Sequence, residues 1–185
     1  MRSDSVTFGS KSTALAALAE HALIILLGSL AIGALAQIAV PVGPVPVTGQ
    51  TLGVLAVAVV LGPRRGTLAV ALYLAEGIGG MPFFAGGTAG PAVLLGPTAG
   101  YLVGFVPATY LVGRLFERID RTRVAFSVLA LAAGTAVIYL FGATALARFV
   151  GWERVLAVGV APFLFGDALK IGIVAAGAAG IRVRY

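Results

Sequence analysis

The order of apolar and polar residues along this chain of 185 residues predicts a membrane protein made of helices. Long apolar stretches alternate with short segments rich in Gly, Pro or Arg. This is the pattern of successive membrane-spanning helices, which need about 20 mostly apolar residues each. We predict six spans, at residues 14–40, 51–61, 67–78, 97–115, 124–146 and 162–181. The second and third are shorter than a perpendicular crossing requires. The expected fold is therefore all-α, a single membrane domain over 1–185 with a polar segment at 1–13 and a six-helix bundle at 14–181.

Composition supports the membrane prediction. Hydrophobic residues make up 59% of the chain and charged residues 11%, whereas soluble domains have about 25% charged residues. A net charge of +6 would suggest a nucleic-acid partner in a soluble protein. Here it is better explained by orientation in a lipid membrane, and no nucleic-acid partner is expected. The chain has no cysteine, so disulfides and thiolate chemistry are excluded within it.

The positions of Lys and Arg predict the orientation of the bundle. If the N-terminus is inside, ten of the thirteen basic residues fall in cytoplasmic segments: Arg2, Lys11, Arg64, Arg65, Arg114, Arg118, Arg121, Arg123, Arg182 and Arg184. The outer segments hold Arg148 and Arg154, and Lys170 lies within a span. Loops rich in Lys and Arg stay in the cytoplasm. We therefore expect an even number of spans with both termini cytoplasmic.

The last predicted span contains an acid and a base, Asp167 and Lys170. Residues three apart share one side of a helix, and ionisable side chains within a membrane are costly and usually functional. A carboxylate accepts hydrogen bonds and an ammonium donates them, so together they suit a small molecule with both kinds of group, such as a urea or an amino acid. The alternative is a buried ion pair that only fixes helix packing.

Two uncharged loops rich in Gly and Pro, at 41–50 and 80–91, fall on the outer side. Irregular backbone at membrane depth has to line or cap a cavity, because it cannot face lipid. Asp167 and Lys170 lie five to eight residues after Pro162, which is about 8–12 Å below the outer end of the span. The pair and the two loops therefore converge, and we expect a site open to the outside.

Several further residues have two interpretations each. Thr48 and Gln50 would be the polar groups of a lid, or parts of a plain turn. The stretch 83–87 would be a platform for an apolar ring, or an ordinary loop with lipid-facing aromatics. Tyr101 is an interfacial anchor or a ligand contact, and Glu76 is an interfacial residue or a partner of the site.

The motifs of common catalytic sites are missing from the sequence. It has no phosphate-binding Gly-x-x-x-x-Gly-Lys-Ser/Thr loop, and neither the Gly-x-Ser-x-Gly nor the His-Glu-x-x-His motif of hydrolases. The single histidine, His21, cannot form a metal site alone. We therefore expect neither an enzyme nor a bound cofactor or metal.

Six motifs in order resemble the BioY family of biotin transport proteins. They lie at 46–51 (PVTGQT), 62–66 (GPRRG), 72–77 (LYLAEG), 80–87 (GMPFFAGG), 96–105 (GPTAGYLVGF) and 162–170, which closes with Gly166-Asp167 and Lys170. The similarity covers residues 37–170. Each motif is common in glycine-rich membrane proteins, but their shared order is specific.

The resemblance implies a six-helix S component, the substrate-binding subunit of an energy-coupling factor (ECF) transporter, in a prokaryotic plasma membrane. It implies capture of biotin from outside and transport driven by partners: a transmembrane coupling protein and cytosolic ATPase subunits. Whether the protein also forms a homo-oligomer is left open. By motif position, Asp167 and Lys170 would be the main polar contacts to biotin, and the loop with Thr48 and Gln50 would close over it. Segment 83–88, including Phe84 and Gly86, would complete the pocket with Tyr101.

Three alternatives to a biotin transporter remain at this stage. The first is an S component for another small vitamin, which a ligand competition panel would distinguish. The second is a structural membrane protein whose Asp167–Lys170 pair serves stability alone. An intramembrane enzyme is the third, and no nucleophile with an adjacent base is visible to support it.

Overall fold

The computed structural model describes residues 6–120 and 123–180, with side chains described from Leu15 onward. Its helices are α1 (Val6–Ala36), α2 (Gln50–Ile78), α3 (Ala99–Phe116), α4 (Val124–Val150), α5 (Trp152–Gly159) and α6 (Ala161–Gly180). Two short strands, β1 (Ala39–Val40) and β2 (Val47–Thr48), form an antiparallel pair, and two 3₁₀ turns follow α2, at Ala85–Gly87 and Pro91–Leu95.

The prediction of a helical membrane protein is confirmed. Five helical stretches of the described chain are long and apolar enough to cross a membrane: Leu15–Ala36, Gln50–Ile78, Ala99–Phe116, Val124–Val150 and Trp152–Gly180. The two-residue strands are the exception to an all-α fold. They are too short for their residue pattern to predict them.

Helix α2 reverses direction at Gly62 and is a helical hairpin. Gly62 has φ 77° and ψ −177°, a conformation adopted essentially by glycine alone. A Cβ on Gly66 would lie 3.1 Å from the carbonyl oxygen of Val57, and the side chains of Gln50 and Tyr73 are hydrogen-bonded. Residues 23 apart in a straight helix would be separated by about 34 Å. The first arm (50–61) and second arm (63–78) therefore lie side by side and antiparallel.

Several boundaries differ from the predicted spans. Helix α1 begins at Val6 rather than at residue 14, because backbone hydrogen bonding can continue beyond the apolar stretch. It ends at Ala36 rather than at residue 40, since the chain then turns into β1. Helix α4 continues past residue 146 to Val150, where Gly151 with φ 82° ends it. Among the residues used in the sequence predictions, Arg2, Arg121, Ile181, Arg182 and Arg184 lie outside the described residues.

The helices pack so that one end of the bundle holds the loops and the small sheet. Helix α3 lies between α2 and α4, and α6 packs on α2 and α4. Helices α2, α3 and α6 start at this end, and the second arm and α4 finish here. The strand pair β1–β2 and segment 79–98 lie here as well. We call it the loop end. Gly62 and the end of α3 lie at the other end, where Gly113 contacts Pro63 closely.

Candidate ligand-binding site

A cavity of about 270 Å³ opens at the loop end of the bundle. Most of its wall is apolar, and its polar side chains come from the predicted lid (41–50), the first arm, segment 79–98, α3, α4 and α6. It is lined by Val45, Pro46, Thr48, Gln50, Thr51, Phe84, Ala85, Thr88, Val93, Gly96, Thr98, Tyr101, Leu102, Phe105, Ile138, Tyr139, Phe163, Asp167 and Lys170. The predicted convergence of the charged pair with the two loops is therefore what the structure shows.

Asp167 is the centre of the polar part of the cavity. It is only 4% exposed, yet both of its carboxylate oxygens accept hydrogen bonds. Oδ1 accepts from the ammonium of Lys170 at 2.8 Å and from the hydroxyl of Thr51 at 3.1 Å. Oδ2 accepts from the hydroxyl of Tyr139 at 2.6 Å. A carboxylate buried in this way is stabilised by hydrogen bonds as well as by its counter-charge, which offsets the cost of desolvation.

Lys170 completes this network from the next turn of α6. Its Nζ also donates to Thr51 Oγ1 at 2.7 Å. An ammonium has three N–H donors, and a carboxylate has about four acceptor positions. The described contacts of Lys170 use two donors, and those of Asp167 use three acceptor positions, two on Oδ1 and one on Oδ2. One N–H of Lys170 and one acceptor position on Oδ2 of Asp167 therefore remain unused by the described contacts.

The predicted lid residues Thr48 and Gln50 also line the cavity, next to Thr51 along the chain. Thr48 is the last residue of β2 and pairs with Ala39. Its hydroxyl donates to Gln50 Oε1 at 2.9 Å and accepts from the backbone N–H of Gln50 at 3.3 Å. The short strand pair thus holds both polar side chains at the entrance to the first arm of α2.

Phe84 and Tyr101 also line the cavity, and each is held from behind. The Phe84 ring is buried against Gly77 and meets the Tyr73 ring edge-on, with 5.7 Å between centroids. The Tyr101 hydroxyl donates to the carbonyl of Gly159 at 2.7 Å. Because that hydroxyl is engaged with α5, Tyr101 presents mainly its ring to the cavity.

Two residues singled out from the sequence do not line the cavity. Gly86 is exposed and has φ 65°, so its described role is to turn the chain between Ala85 and Thr88, which do line it. Glu76 lies on the second arm, and its buried Oε2 has no hydrogen-bond partner among the described residues. Glu76 is not among the residues that line the cavity.

Sequence reasoning missed Thr51 and Tyr139, both direct partners of Asp167. Thr51 directly follows the predicted lid residue Gln50, so its hydroxyl could have been considered together with the lid. Tyr139 is a phenol in the middle of a long apolar helix. A buried phenol needs a hydrogen-bond partner, and this requirement could have pointed to Tyr139 as a residue of the site.

Comparison with known proteins gives the same picture over most of the chain. The model of the BioY family matches residues 7–185. A probable biotin transporter BioY of Pyrococcus horikoshii is 42% identical over 135 residues, which cover 73% of this chain and 79% of the relative. The biotin transporter BioY of Thermotoga maritima is 39% identical over 141 residues, covering 76% of this chain and 82% of the relative.

A solved structure shares the fold. The crystal structure of the S-component for biotin from an ECF-type ABC transporter superimposes with a TM-score of 0.79, covering 88% of this chain and 90% of that chain at 24% identity. The resemblance carried by the six sequence motifs is confirmed by the family model, which matches nearly the whole chain, and this protein belongs to the BioY family.

Proposed function

We propose that this protein takes up biotin as the substrate-binding S component of an ECF-type transporter, and that the cavity at the loop end is its biotin site. The relatives named above are described as biotin transporters. The observation that carries the proposal is the Asp167–Lys170 pair, joined by a 2.8 Å contact in an otherwise mostly apolar cavity.

The chemistry of biotin matches this cavity. Its cyclic urea has N–H donors next to a carbonyl acceptor. The remaining acceptor position on Asp167 Oδ2 and the remaining N–H of Lys170 offer the complementary groups. The sulfur-containing ring and the hydrocarbon chain suit the rings of Phe84, Tyr101 and Phe105. The cavity size of about 270 Å³ is near the lower end of small-molecule sites.

The protein is a multi-pass membrane protein of a transporter family rather than an enzyme. We further propose six crossings of a prokaryotic plasma membrane within residues 14–181, counting the two short arms of α2 separately. The reversal at Gly62 supports this count. Arg64, Arg65 and Arg114 lie at the end of the bundle opposite the cavity. Because arginine-rich ends stay in the cytoplasm, both termini would be cytoplasmic and the cavity would open outward.

Transport in this proposal depends on other subunits. A transmembrane coupling protein and cytosolic ATPase subunits would supply the energy, in keeping with the lack of a phosphate-binding loop in this sequence. The outer loops would close on biotin, and the whole protein would reorient to release it inside.

The test is equilibrium binding of labelled biotin to the purified protein in detergent, in parallel with Asp167→Asn and Lys170→Ala. We expect tight binding by the wild type and at least tenfold weaker binding by each variant, since each leaves a charged side chain of the cavity without its counter-charge. Thr135→Val is the matched control: its buried hydroxyl bonds only to the carbonyl of Leu131 in the same helix. A folded wild type that does not bind biotin would overturn the ligand, and competition with other vitamins would then identify the substrate.

A further inference from the structure

Tyr73 lies directly behind the cavity wall and contacts both of its sides. It is fully buried (0% exposed) on the second arm of α2 and does not line the cavity. Its hydroxyl is bonded to Gln50 Nε2 and also to the carbonyl oxygen of Phe83, at 3.2 Å. Gln50 belongs to the lid side of the cavity, whereas Phe83 precedes Phe84, Ala85 and Thr88 on the other side.

The directions of these hydrogen bonds follow from their chemistry. A carbonyl oxygen can only accept, so the single proton of the Tyr73 hydroxyl goes to Phe83. The same hydroxyl oxygen must then accept from the amide nitrogen of Gln50. This places Gln50 Oε1 toward Thr48, whose hydroxyl donates to it at 2.9 Å. The chain Thr48–Gln50–Tyr73–Phe83 is therefore continuous, and it fixes which end of the Gln50 amide faces which partner.

The ring of Tyr73 supports the same connection by packing. It meets the ring of Phe84 edge-on, with an interplanar angle of 87°. A second connection to this segment comes from Gln37, whose Nε2 reaches the carbonyls of Pro82 and Phe83 at 3.3 and 3.5 Å from an exposed position. Of these two described connections to segment 83–88, the one through the Tyr73 hydroxyl is buried, and it joins this segment to the lid.

We propose that Tyr73 is a positioning residue of the binding site, which holds the lid and segment 83–88 together and so sets the rate at which the ligand is released. It acts through Gln50 and Phe84 and does not touch the ligand. The kinetic part of this inference rests on the proposed biotin function. The connection between the two segments can be measured without a ligand.

The kinetic test uses Tyr73→Phe, which removes one hydroxyl and keeps the ring. We expect labelled biotin to dissociate about tenfold faster, because Gln50 Nε2 and the Phe83 carbonyl both lose a buried partner. Association is expected to stay within about twofold of wild type, since the groups facing the ligand are unchanged. Thr135→Val, which also removes a buried hydroxyl, should leave dissociation unchanged. Equal dissociation rates for wild type and Tyr73→Phe would overturn the proposal.

The second test is hydrogen exchange in the ligand-free protein. The amide of Gly49 donates to Ile38, and that of Phe84 donates to Thr88, so their exchange rates report on opening of the lid and of segment 83–88. Tyr73→Phe should accelerate both, and Thr135→Val neither. Acceleration by both variants alike would show a general loss of stability and overturn the positioning role.

The two tests separate this inference from the proposed function. A wild type that fails to bind biotin counts against the function, while faster exchange at both segments in Tyr73→Phe would still support the connection. A second variant, Thr48→Val, breaks the same series of hydrogen bonds at its half-buried end and leaves Tyr73 in place. It should accelerate exchange at Gly49, and unchanged exchange there would count against a continuous chain.

Discussion

The hydroxyl of Tyr139 donates a 2.6 Å hydrogen bond to Oδ2 of Asp167, which joins the middle of α4 to α6 inside the cavity. Hydrogen bonds to an ionised acceptor are shorter and stronger than neutral ones. This bond also occupies one acceptor position on Oδ2, the Asp167 oxygen that we propose accepts a hydrogen bond from the ligand. Tyr139 therefore restricts how a ligand can approach Asp167.

The first prediction concerns Tyr139 itself. Tyr139→Phe removes the hydroxyl donor and leaves Asp167 with the contacts to Lys170 and Thr51. Loss of a hydrogen bond to a charged group costs about 1.5–3 kcal/mol, so we expect a lower unfolding temperature and biotin binding weaker by about tenfold or more. Thermal unfolding and a binding isotherm measure the two effects. Tyr110→Phe is the control, because Tyr110 is exposed at 49%; an equal effect there would contradict the prediction.

The second prediction separates a ligand site from a structural ion pair. Asp167→Asn and Lys170→Met each leave one buried charge without its counter-charge, at a cost of about 3–5 kcal/mol in stability. The double variant removes both charges, so its stability should return toward that of the wild type. Biotin binding should remain lost in all three variants. Binding that recovers together with stability in the double variant would show that the pair is structural.

The third prediction concerns the room behind Tyr101. A Cβ at Gly142 would overlap the ring of Tyr101, so Gly142→Ala has to push that ring toward the cavity. We expect weaker biotin binding although no ligand contact is replaced. Gly172→Ala is the matched control, because nothing lies within 4 Å of a Cβ at that position on α6. Binding isotherms for both variants test this, and unchanged affinity in Gly142→Ala would contradict it.

The fourth prediction concerns the reversal of α2. Gly62→Ala places a side chain at φ 77° and ψ −177°, where the strain costs about 1–3 kcal/mol. We expect a lower unfolding temperature for this variant than for Gly172→Ala, which keeps a helical conformation. A variant as stable as the wild type would show that the backbone at residue 62 is not in this conformation.

Much of the fold was predictable because punctuation in the sequence coincides with the structural breaks. Gly62 and Pro63 separate two apolar stretches, and the structure reverses there. The same signal could not place the start of α1, since the backbone of a helix continues into polar sequence without a marker. The strand pair could not be predicted either, because its register depends on a contact between Ala39 and Thr48 rather than on a repeating pattern.

The site was predictable where its residues are neighbours in the sequence. Asp167 and Lys170 share one helix face, so their spacing alone predicts their contact. Thr51 and Tyr139 reach Asp167 from other helices, across 116 and 28 residues of sequence. Such contacts depend on the rotation of each helix about its axis, which is decided by packing. Gly86 remains a predicted ligand contact that is not among the residues lining the cavity.

The reversal at Gly62 also has a consequence for how the protein is made. In the proposed six-span topology, neither arm of α2 has the roughly 20 apolar residues that a single crossing needs, so the two arms would have to enter the bilayer together. Arg64 and Arg65 follow the reversal closely, and in that topology they would resist translocation and keep the tip of the pair on the side of synthesis. The first arm carries Gln50 and Thr51, and the second carries Tyr73. Insertion of the pair as one unit would therefore bring the lid side of the cavity and its buried support together before α3, α4 and α6 have been added.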